Sequence, residues 1–136
     1  MAKQVFNDWN VSYSTIAFLE QALTADPKVA SFERKKDINF DIKLKSGVEI
    51  NALLVDEYVL GLAAVHRAPN EFPGVEYIVT GGNWNGYTPD AKKFGQENEI
   101  GIFNLGEFLS ALRSRDPKNY RRVDDKGKPV YAFKET

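Results

Sequence analysis

The first part of the chain carries two hydrophobic periodicities. Apolar residues recur at helical spacing from Ser14 to Ala25, at Ile16, Phe18, Leu19 and Leu23. Ser14 or Ser12 can cap this helix, and Asp26-Pro27 ends it. From Ile38 to Lys45 apolar and polar side chains alternate strictly, which predicts a half-buried strand. The intervening segment, Val29 to Glu33, is compatible with a short strand or with the tail of the helical region.

The most apolar stretch runs from Gly47 to Ala68. Partial alternation between Val48 and Val55 predicts a second strand. Every residue from Tyr58 to Val65 is apolar or Gly, which favours a third strand that is covered on both faces and central in the sheet. Short connections would join the three strands into an antiparallel meander. The third strand would deliver His66 and Arg67 to the edge of the sheet.

Strands and helices alternate in the second half of the chain. The predicted elements are a strand over Val75–Thr80, a helix from Thr88-Pro89 to about Asn98, a strand over Ile100–Phe103, a helix capped by Asn104, and a hairpin over Asn119–Lys134. The fold class is therefore predicted to be α/β. We expect a mixed sheet with an antiparallel three-strand meander, helices on both faces and a C-terminal hairpin.

Composition narrows the class of protein. The 136 residues suit one domain, and 27% charged with 43% hydrophobic residues is typical of a soluble globular chain. The absence of cysteine excludes disulfides, thiolate zinc sites and cysteine nucleophiles, and a single histidine argues against a His-rich metal site. The N-terminal residues lack a signal peptide pattern, and no apolar run approaches the ~18–20 residues that span a bilayer. We expect a cytoplasmic protein that has no membrane partner.

Positive charge is concentrated near the C-terminus. Residues 113–128 contain seven Lys or Arg and three Asp, a net charge of +4, although the whole chain has a formal net charge of −1. We therefore divide the domain into a core, residues 14–112, and a basic C-terminal appendage, residues 113–136. Arg121 and Arg122 are the first candidates for contacts with nucleic-acid phosphates. The alternative is an ordinary solvated surface.

Two further segments could carry chemistry. The loop from Gly81 to Tyr87 could present Trp84 and Tyr87 as a stacking surface for an unpaired base, although its Gly and Asn residues are also ordinary turn chemistry. No Lys-Ser/Thr follows Gly86, so the loop is not a nucleotide P-loop. His66 could be a general base with Arg67 as its phosphate-binding partner.

The order of elements and Gly47-Val-Glu-Ile-Asn51 resemble the restriction-endonuclease-like superfamily, whose signature is PD-(D/E)xK. The chain is most similar to the small nuclease domains of type IV restriction enzymes and related DNA-processing proteins. That family carries G-x-E-I-D on its second strand and E-x-K about a dozen residues later, where Leu62 to Arg67 stands here. The resemblance extends from Ser14 to Leu112 and includes Tyr77–Thr80, Thr88–Ala91 and Ile100–Leu105.

The resemblance implies an Mg²⁺ site made of two carboxylates and a lysine, but the matching positions are Asn51, Ala64 and His66. A metal site with these residues would be depleted, so no metal or other cofactor is expected. We expect a non-catalytic binding module for nucleic acid or protein in a DNA-processing or defence system. Its candidate nucleic-acid contacts are Asn51, His66, Arg67, Trp84, Arg121 and Arg122.

Two alternatives stay open. A metal-dependent DNA endonuclease could use relocated carboxylates, with Glu20 on the first helix and Glu49 on the same face as Asn51 as ligands for Mg²⁺, and His66 as a further catalytic candidate. The chain could instead be a small inhibitor or immunity-type protein that contacts a partner through its acidic body. Because relatives of this fold often dimerise, a homodimer is possible in either case.

Overall fold

The computed structural model describes residues 7–81 and 84–135. The helices are α1 (Tyr13–Ala25), α2 (Leu62–Glu71), α3 (Pro89–Glu97) and α4 (Leu105–Ala111), with a 3₁₀ turn at Pro117–Asn119. The strands are β1 (Val29–Lys35), β2 (Asn39–Leu44), β3 (Glu49–Val55), β4 (Val59–Leu60), β5 (Tyr77–Thr80), β6 (Gly86–Tyr87), β7 (Gly101–Asn104), β8 (Arg122–Val123) and β9 (Pro129–Val130).

Five strands form the central sheet in the order β1-β2-β3-β5-β7. The first three are antiparallel neighbours, whereas β5 is parallel to β3 and β7 is parallel to β5. The parallel pairs follow from the crossover helices α2 and α3, since a parallel neighbour cannot be reached through a tight turn. The α/β class, the mixed sheet with three antiparallel strands in a row and the C-terminal hairpin of β8 and β9 are confirmed.

Helices cover both faces of this sheet. On one face the ring of Tyr77 lies 5.7 Å from that of Phe108 in α4, and Glu20 of α1 pairs with Arg34. On the other face Gly95 of α3 touches Ile102. Tyr77 and Ile102 belong to opposite faces because Ile102 is paired with Ile78, the neighbour of Tyr77. We call these the α1/α4 face and the α2/α3 face.

The predicted strand from Tyr58 to Arg67 is wrong. Only Val59 and Leu60 are extended, and α2 begins at Leu62 after Gly61, whose extended backbone caps it. Within α2, Val65 and Ala68 are buried three residues apart while Leu62 is 40% exposed, which is a helical pattern. A continuous apolar run does not by itself distinguish a strand from a helix.

The third strand of the meander is instead β1, at the edge of the sheet. The segment that could be strand or helix tail is therefore a strand, Val29–Lys35, joined to β2 by Lys36 and Asp37 at positive φ of 44° and 66°. The strand at the centre of the sheet is β3. The match of Ala64 and His66 to the E-x-K strand is consequently wrong, since both residues lie in α2.

The C-terminal segment returns to the core after an exposed hairpin. Tyr87 of β6 donates its backbone N–H to Ala132 O at 3.0 Å and accepts from Lys134 N at 2.9 Å. Phe133 completes a short parallel pairing next to β6, which itself pairs with β4. Residues 113–135 thus contain both solvent-exposed positions and core contacts. No helix within residues 7–81 and 84–135 has the length and apolar character needed to cross a lipid bilayer.

Candidate functional site

The α2/α3 face is uncovered over β1, β2 and the first half of β3. At the covered end, Leu53 and Ile78 are fully buried, whereas Glu33, Lys43 and Glu49 on the same face are exposed. The uncovered side chains are mostly charged or amide groups. We call this side of the sheet the open polar face: Ser31, Glu33, Lys35, Asn39, Asp41, Lys43, Glu49 and Asn51, of which only Asn39, opposite Leu53, is buried.

Two adjoining cavities of about 520 and 410 Å³ lie over this face and share Asp41 and Asn51. Glu76 borders the larger cavity, and the Phe72–Gly74 loop after α2 borders the smaller one. Asn51, one of the residues selected from the sequence, is therefore at the centre of a concave polar surface. Glu49, another selected residue, lines the larger cavity.

Asn51 holds a hydrogen-bond network together. Its Nδ2 donates to Asp41 Oδ1 at 2.7 Å and to Asn39 Oδ1 at 2.9 Å, and its Oδ1 accepts from Asn39 Nδ2 at 2.9 Å. Its backbone N–H donates to Glu76 Oε1 at 3.1 Å. The network fixes the amide of Asn51 between two strands, because Asp41 and Asn51 are directly paired across β2 and β3.

Asp41 is also paired with a cation. Lys35 Nζ lies 2.6 Å from Asp41 Oδ2. The hydrogen bond from Lys35, followed by that from Asn51, holds the pKa of Asp41 below its usual value. The same contact raises the pKa of Lys35. Asp41 is therefore an ionised carboxylate whose two oxygens are both engaged.

These residues do not fit the Mg²⁺ site that the resemblance implies. Asn51 is neutral and both its amide atoms are used, and a lysine occupies the second oxygen of Asp41. Glu76 accepts from Asn51 and pairs with Lys118 at 3.5 Å. Mg²⁺ requires several free oxygen ligands in octahedral geometry. Across the part of the chain that the structure describes, no three His, Cys, Asp or Glu residues are grouped to hold a metal ion.

Glu20 and Glu49 are not brought together. Glu20 Oε2 lies 3.6 Å from Arg34 Nε, and Arg34 is paired with Phe40 on the α1/α4 face. Glu49 is paired with Lys43 on the opposite face. Because the sheet separates the two carboxylates, they cannot share a metal ion, and the relocated site made of Glu20 and Glu49 is wrong.

His66 and Arg67 are surface residues of α2 rather than residues of a strand edge. The His66 ring lies 4.1 Å from the ring of Phe94 in α3. Arg67 forms an ion pair with Glu71, and its guanidinium lies 4.0 Å above the ring of Trp9. The structure brings these residues together with aromatic neighbours and not with Asn51.

The two aromatic residues of the 81–87 loop have different environments. Trp84 is 80% exposed, so its ring is accessible, whereas Tyr87 is fully buried and cannot be a stacking surface. The backbone after the loop is anchored by Asn85, whose Nδ2 donates to Asp56 Oδ1 at 3.1 Å and Thr80 Oγ1 at 3.2 Å. Residues 82 and 83 of the loop lie outside the described residues.

Arg121 and Arg122 are both exposed in the segment between the 3₁₀ turn and the hairpin. Arg121 lines a small cavity together with Lys92 and Lys118, while Arg122 lies in β8. Sequence reasoning missed Lys92, Asn39 and Asp41. A signal was available for Asn39 and Asp41, since both precede the Ser46-Gly47 turn on the polar face of the strand that pairs with Asn51.

Comparison of the chain with protein-family models, with curated protein sequences and with solved structures gives no match. The Asn51 network and the basic C-terminal segment adjoin at Glu76, which accepts from Asn51 N and pairs with Lys118.

Proposed function

We propose that the chain is a nuclease-like domain without a catalytic metal site, which binds nucleic acid in a DNA-processing or defence system. The observation that carries this proposal is the network around Asn51, in which an amide and an ion-paired aspartate occupy the polar face of the meander. Three antiparallel strands in a row, β1, β2 and β3, support the proposal, although they are not the three segments on which the resemblance was based.

The network supports a binding role over hydrolysis. A nuclease of this type needs carboxylates with free oxygens, whereas Asp41 and Glu76 are each paired with a lysine. Asn39 and Asn51 satisfy each other's amide groups. A polar network in which every group has a partner makes the structure more rigid. A metal ion would have to replace these hydrogen bonds in order to bind.

The basic C-terminal segment supports nucleic acid as the partner. Arg121 and Arg122 are exposed and make no ion pair with an Asp or Glu of residues 7–81 or 84–135. Unpaired surface cations release counterions from a phosphate backbone when they bind it, which gives affinity without sequence preference. Trp84 adds an accessible aromatic ring that suits an unpaired base.

Binding is tested with fluorescently labelled single-stranded and duplex oligonucleotides in anisotropy titrations at 50 and 200 mM salt. We expect affinity to fall with salt, and the Arg121→Ala/Arg122→Ala variant to bind more weakly, with a logarithmic salt slope reduced by about 2. The matched control is Lys28→Ala/Lys45→Ala, which removes the same charge from exposed positions elsewhere. An unchanged affinity in the arginine variant would contradict this interface.

Catalysis is tested on supercoiled plasmid with Mg²⁺ and separately with Mn²⁺. We expect no cleavage at high protein concentration. Metal-dependent nicking that disappears in Glu49→Ala and Asp41→Ala would overturn the non-catalytic assignment, since these carboxylates belong to the open polar face.

A second candidate function is protein binding through the open polar face. Its exposed charges are of both signs, with Glu49 paired with Lys43 and Glu33 opposite Asp41, which suits a complementary protein surface better than a uniformly anionic nucleic acid. The Glu33→Lys/Glu49→Lys variant should lose a partner captured from host extract by the unmodified chain. Capture that is equal in both would argue against this face.

A further inference from the structure

A small cavity beside α3 is lined by three cationic residues, of which Lys118 is also paired with Glu76. Its volume is about 80 Å³, and Lys92, Lys118 and Arg121 line it together with the aromatic residues Tyr120 and Tyr131. Lys118 and Arg121 come from the segment around the 3₁₀ turn, whereas Lys92 comes from α3. The cavity thus forms where the C-terminal segment packs against the core.

Lys92 is an unusual residue in this cavity because it is only 5% exposed. Its Nζ donates to Ile102 O at 2.7 Å and lies 4.3 Å from the centre of the Phe103 ring. An ammonium has three donors, and that carbonyl accepts one of them. No Asp or Glu in the described ranges, 7–81 and 84–135, lies within salt-bridge distance of Lys92.

The nearest carboxylate that acts on Lys92 does so only through space. Glu107 is itself buried, and its oxygens accept from Tyr87 Oη at 2.8 Å and from Asn104 N at 3.0 Å. Burial lowers the pKa of Lys92 to about 8, with Glu107 opposing part of that shift. A buried ammonium without a direct counterion is costly, and an anion in the adjoining cavity would offset that cost.

We infer that this cavity, the Lys92 pocket, binds a phosphate group. The cavity, with a volume of about 80 Å³, has room for a group the size of one tetrahedral oxyanion. Ammonium and guanidinium groups donate charge-assisted hydrogen bonds, which are the strong ones for such an oxyanion. Asn119 and Gln96 also line the cavity.

The small volume favours a terminal phosphate over an internal one. A terminal phosphate carries one substituent, so three oxygens can enter the pocket, whereas an internal phosphodiester must leave in two directions. The choice of a nucleic-acid end as the source of this phosphate rests on the proposed function. The preference of the Lys92 pocket for phosphate rests on its own cations and volume.

The test compares oligonucleotides of one sequence that carry a 5′-phosphate, a 3′-phosphate or only hydroxyl ends. We expect one phosphorylated end to bind at least about tenfold more tightly than the hydroxyl end, with the preference lost in Lys92→Met and in Arg121→Gln. Lys93→Met is the matched control, because Lys93 neighbours Lys92 in α3 but is exposed. It should keep the preference.

A second measurement follows the Lys92 side-chain amine by NMR while inorganic phosphate is added. We expect a saturable shift in the unmodified chain that Arg121→Gln weakens and Lys93→Met leaves unchanged. Because Arg121 is exposed, its variant keeps the test valid if Lys92→Met does not fold.

The outcomes separate the inference from the proposed function. Equal binding of phosphorylated and hydroxyl ends, with no shift by inorganic phosphate, overturns the inference and leaves nucleic-acid binding standing. A saturable phosphate shift without binding of any oligonucleotide supports the Lys92 pocket and overturns nucleic acid as the source. If no oligonucleotide binds and inorganic phosphate causes no shift, both the phosphate site in the Lys92 pocket and nucleic-acid binding by the chain are wrong.

Discussion

The pKa of Lys92 differs between the folded and the unfolded chain. Its pKa is about 8 in the folded protein, against an ordinary value of 10.5. Between these two values the unfolded chain binds more protons than the folded one, so the free energy of unfolding rises with pH. Burial raises the pKa of Tyr77 and Tyr87 above the ordinary value of 10, and this opposes stability only as pH rises beyond 10. Between pH 8 and about 10 the effect of Lys92 on the free energy of unfolding can therefore be measured apart from that of the two tyrosines.

Replacing Lys92 by Met should abolish that rise. A pKa lowered from 10.5 to about 8 corresponds to roughly 3 kcal/mol, so we expect Lys92→Met to raise the free energy of unfolding at pH 7 by about 1 to 3 kcal/mol. Urea unfolding at pH 7, 8, 9 and 10 measures both effects. Lys93→Met should follow the unmodified chain, and a Lys92→Met curve parallel to it would contradict the burial argument.

At the residue scale the sequence locates Asn51 but not its partners. The strict alternation of residues 38–45 puts Asn39 and Asp41 on one polar face, and the Ser46-Gly47 turn sets the register that places Asp41 opposite Asn51. Those partners could have been derived from the turn. Lys92 could not, because a lysine beside Ala91 in an amphipathic helix ordinarily reaches solvent. Its ammonium is instead covered by Phe103 of the core and by Tyr131 of the returning C-terminal segment.

The packing of α3 against β7 leaves no room for a side chain at Gly95. A Cβ built there would stand 2.4 Å from Ile102 Cγ1 and 2.5 Å from the backbone oxygen of Ile100. A backbone atom cannot move aside as a side chain can, so the helix must shift.

We expect Gly95→Ala to lower the free energy of unfolding by about 1 to 3 kcal/mol despite the better helix propensity of alanine. Thermal and urea unfolding measure the change. Gln96→Ala, at the exposed next position of α3, should stay within about 0.5 kcal/mol. Stabilisation by Gly95→Ala would show that α3 has freedom to move away from β7.

At the element scale, helices with capping residues are predicted correctly. Thr88 accepts from Ala91 N and Asn104 forms a reciprocal capping box with Glu107, as the side chains at these positions indicate. α2 has no such signal, because its N-cap is Gly61 and its sequence begins with an apolar run. Its helical character is decided by tertiary packing, in which Val65 and Ala68 are fully buried. The sequence pattern therefore predicts the helices that begin with a capping side chain, but not α2, which has none.

At the scale of the whole molecule, the last residues complete the environment of Tyr87. Its backbone pairs with Ala132 and Lys134, and its hydroxyl accepts from Ala132 N at 3.1 Å. The stacked rings of Tyr131 and Phe133 cover the same region, with centres 4.9 Å apart. Removing this segment exposes polar groups that the core otherwise satisfies.

We expect a chain that ends at Lys128 to lose about 2 kcal/mol or more of stability, since several buried groups of Tyr87 lose their partners. Urea unfolding compares it with the full chain. Asp125→Ala, at the exposed turn of the hairpin, should change stability by less than about 0.5 kcal/mol. A truncated chain of unchanged stability would mean that water replaces these contacts at no cost.

The class of the whole molecule is predictable, but the order of its strands is only partly so. Short turns imply the antiparallel neighbours β2 and β3, and alternation of strands with helices implies the parallel ones. The apolar run after Asp56 was expected to lie beside β3, but β5 occupies that position and Val29–Lys35 pairs with β2 at the edge. Long-range packing decides this choice.

The two tryptophans occupy opposite extremes of exposure, Trp9 at 5% and Trp84 at 80%. Their emission should therefore report different events. In a Trp84→Phe chain the remaining fluorescence comes from the indole under Arg67, so a blue-shifted spectrum should resist acrylamide until the chain unfolds. In the unmodified chain, quenching should be biphasic, and the accessible fraction should respond first to an added oligonucleotide. A single quenching phase in the unmodified chain would show that the indoles share one environment.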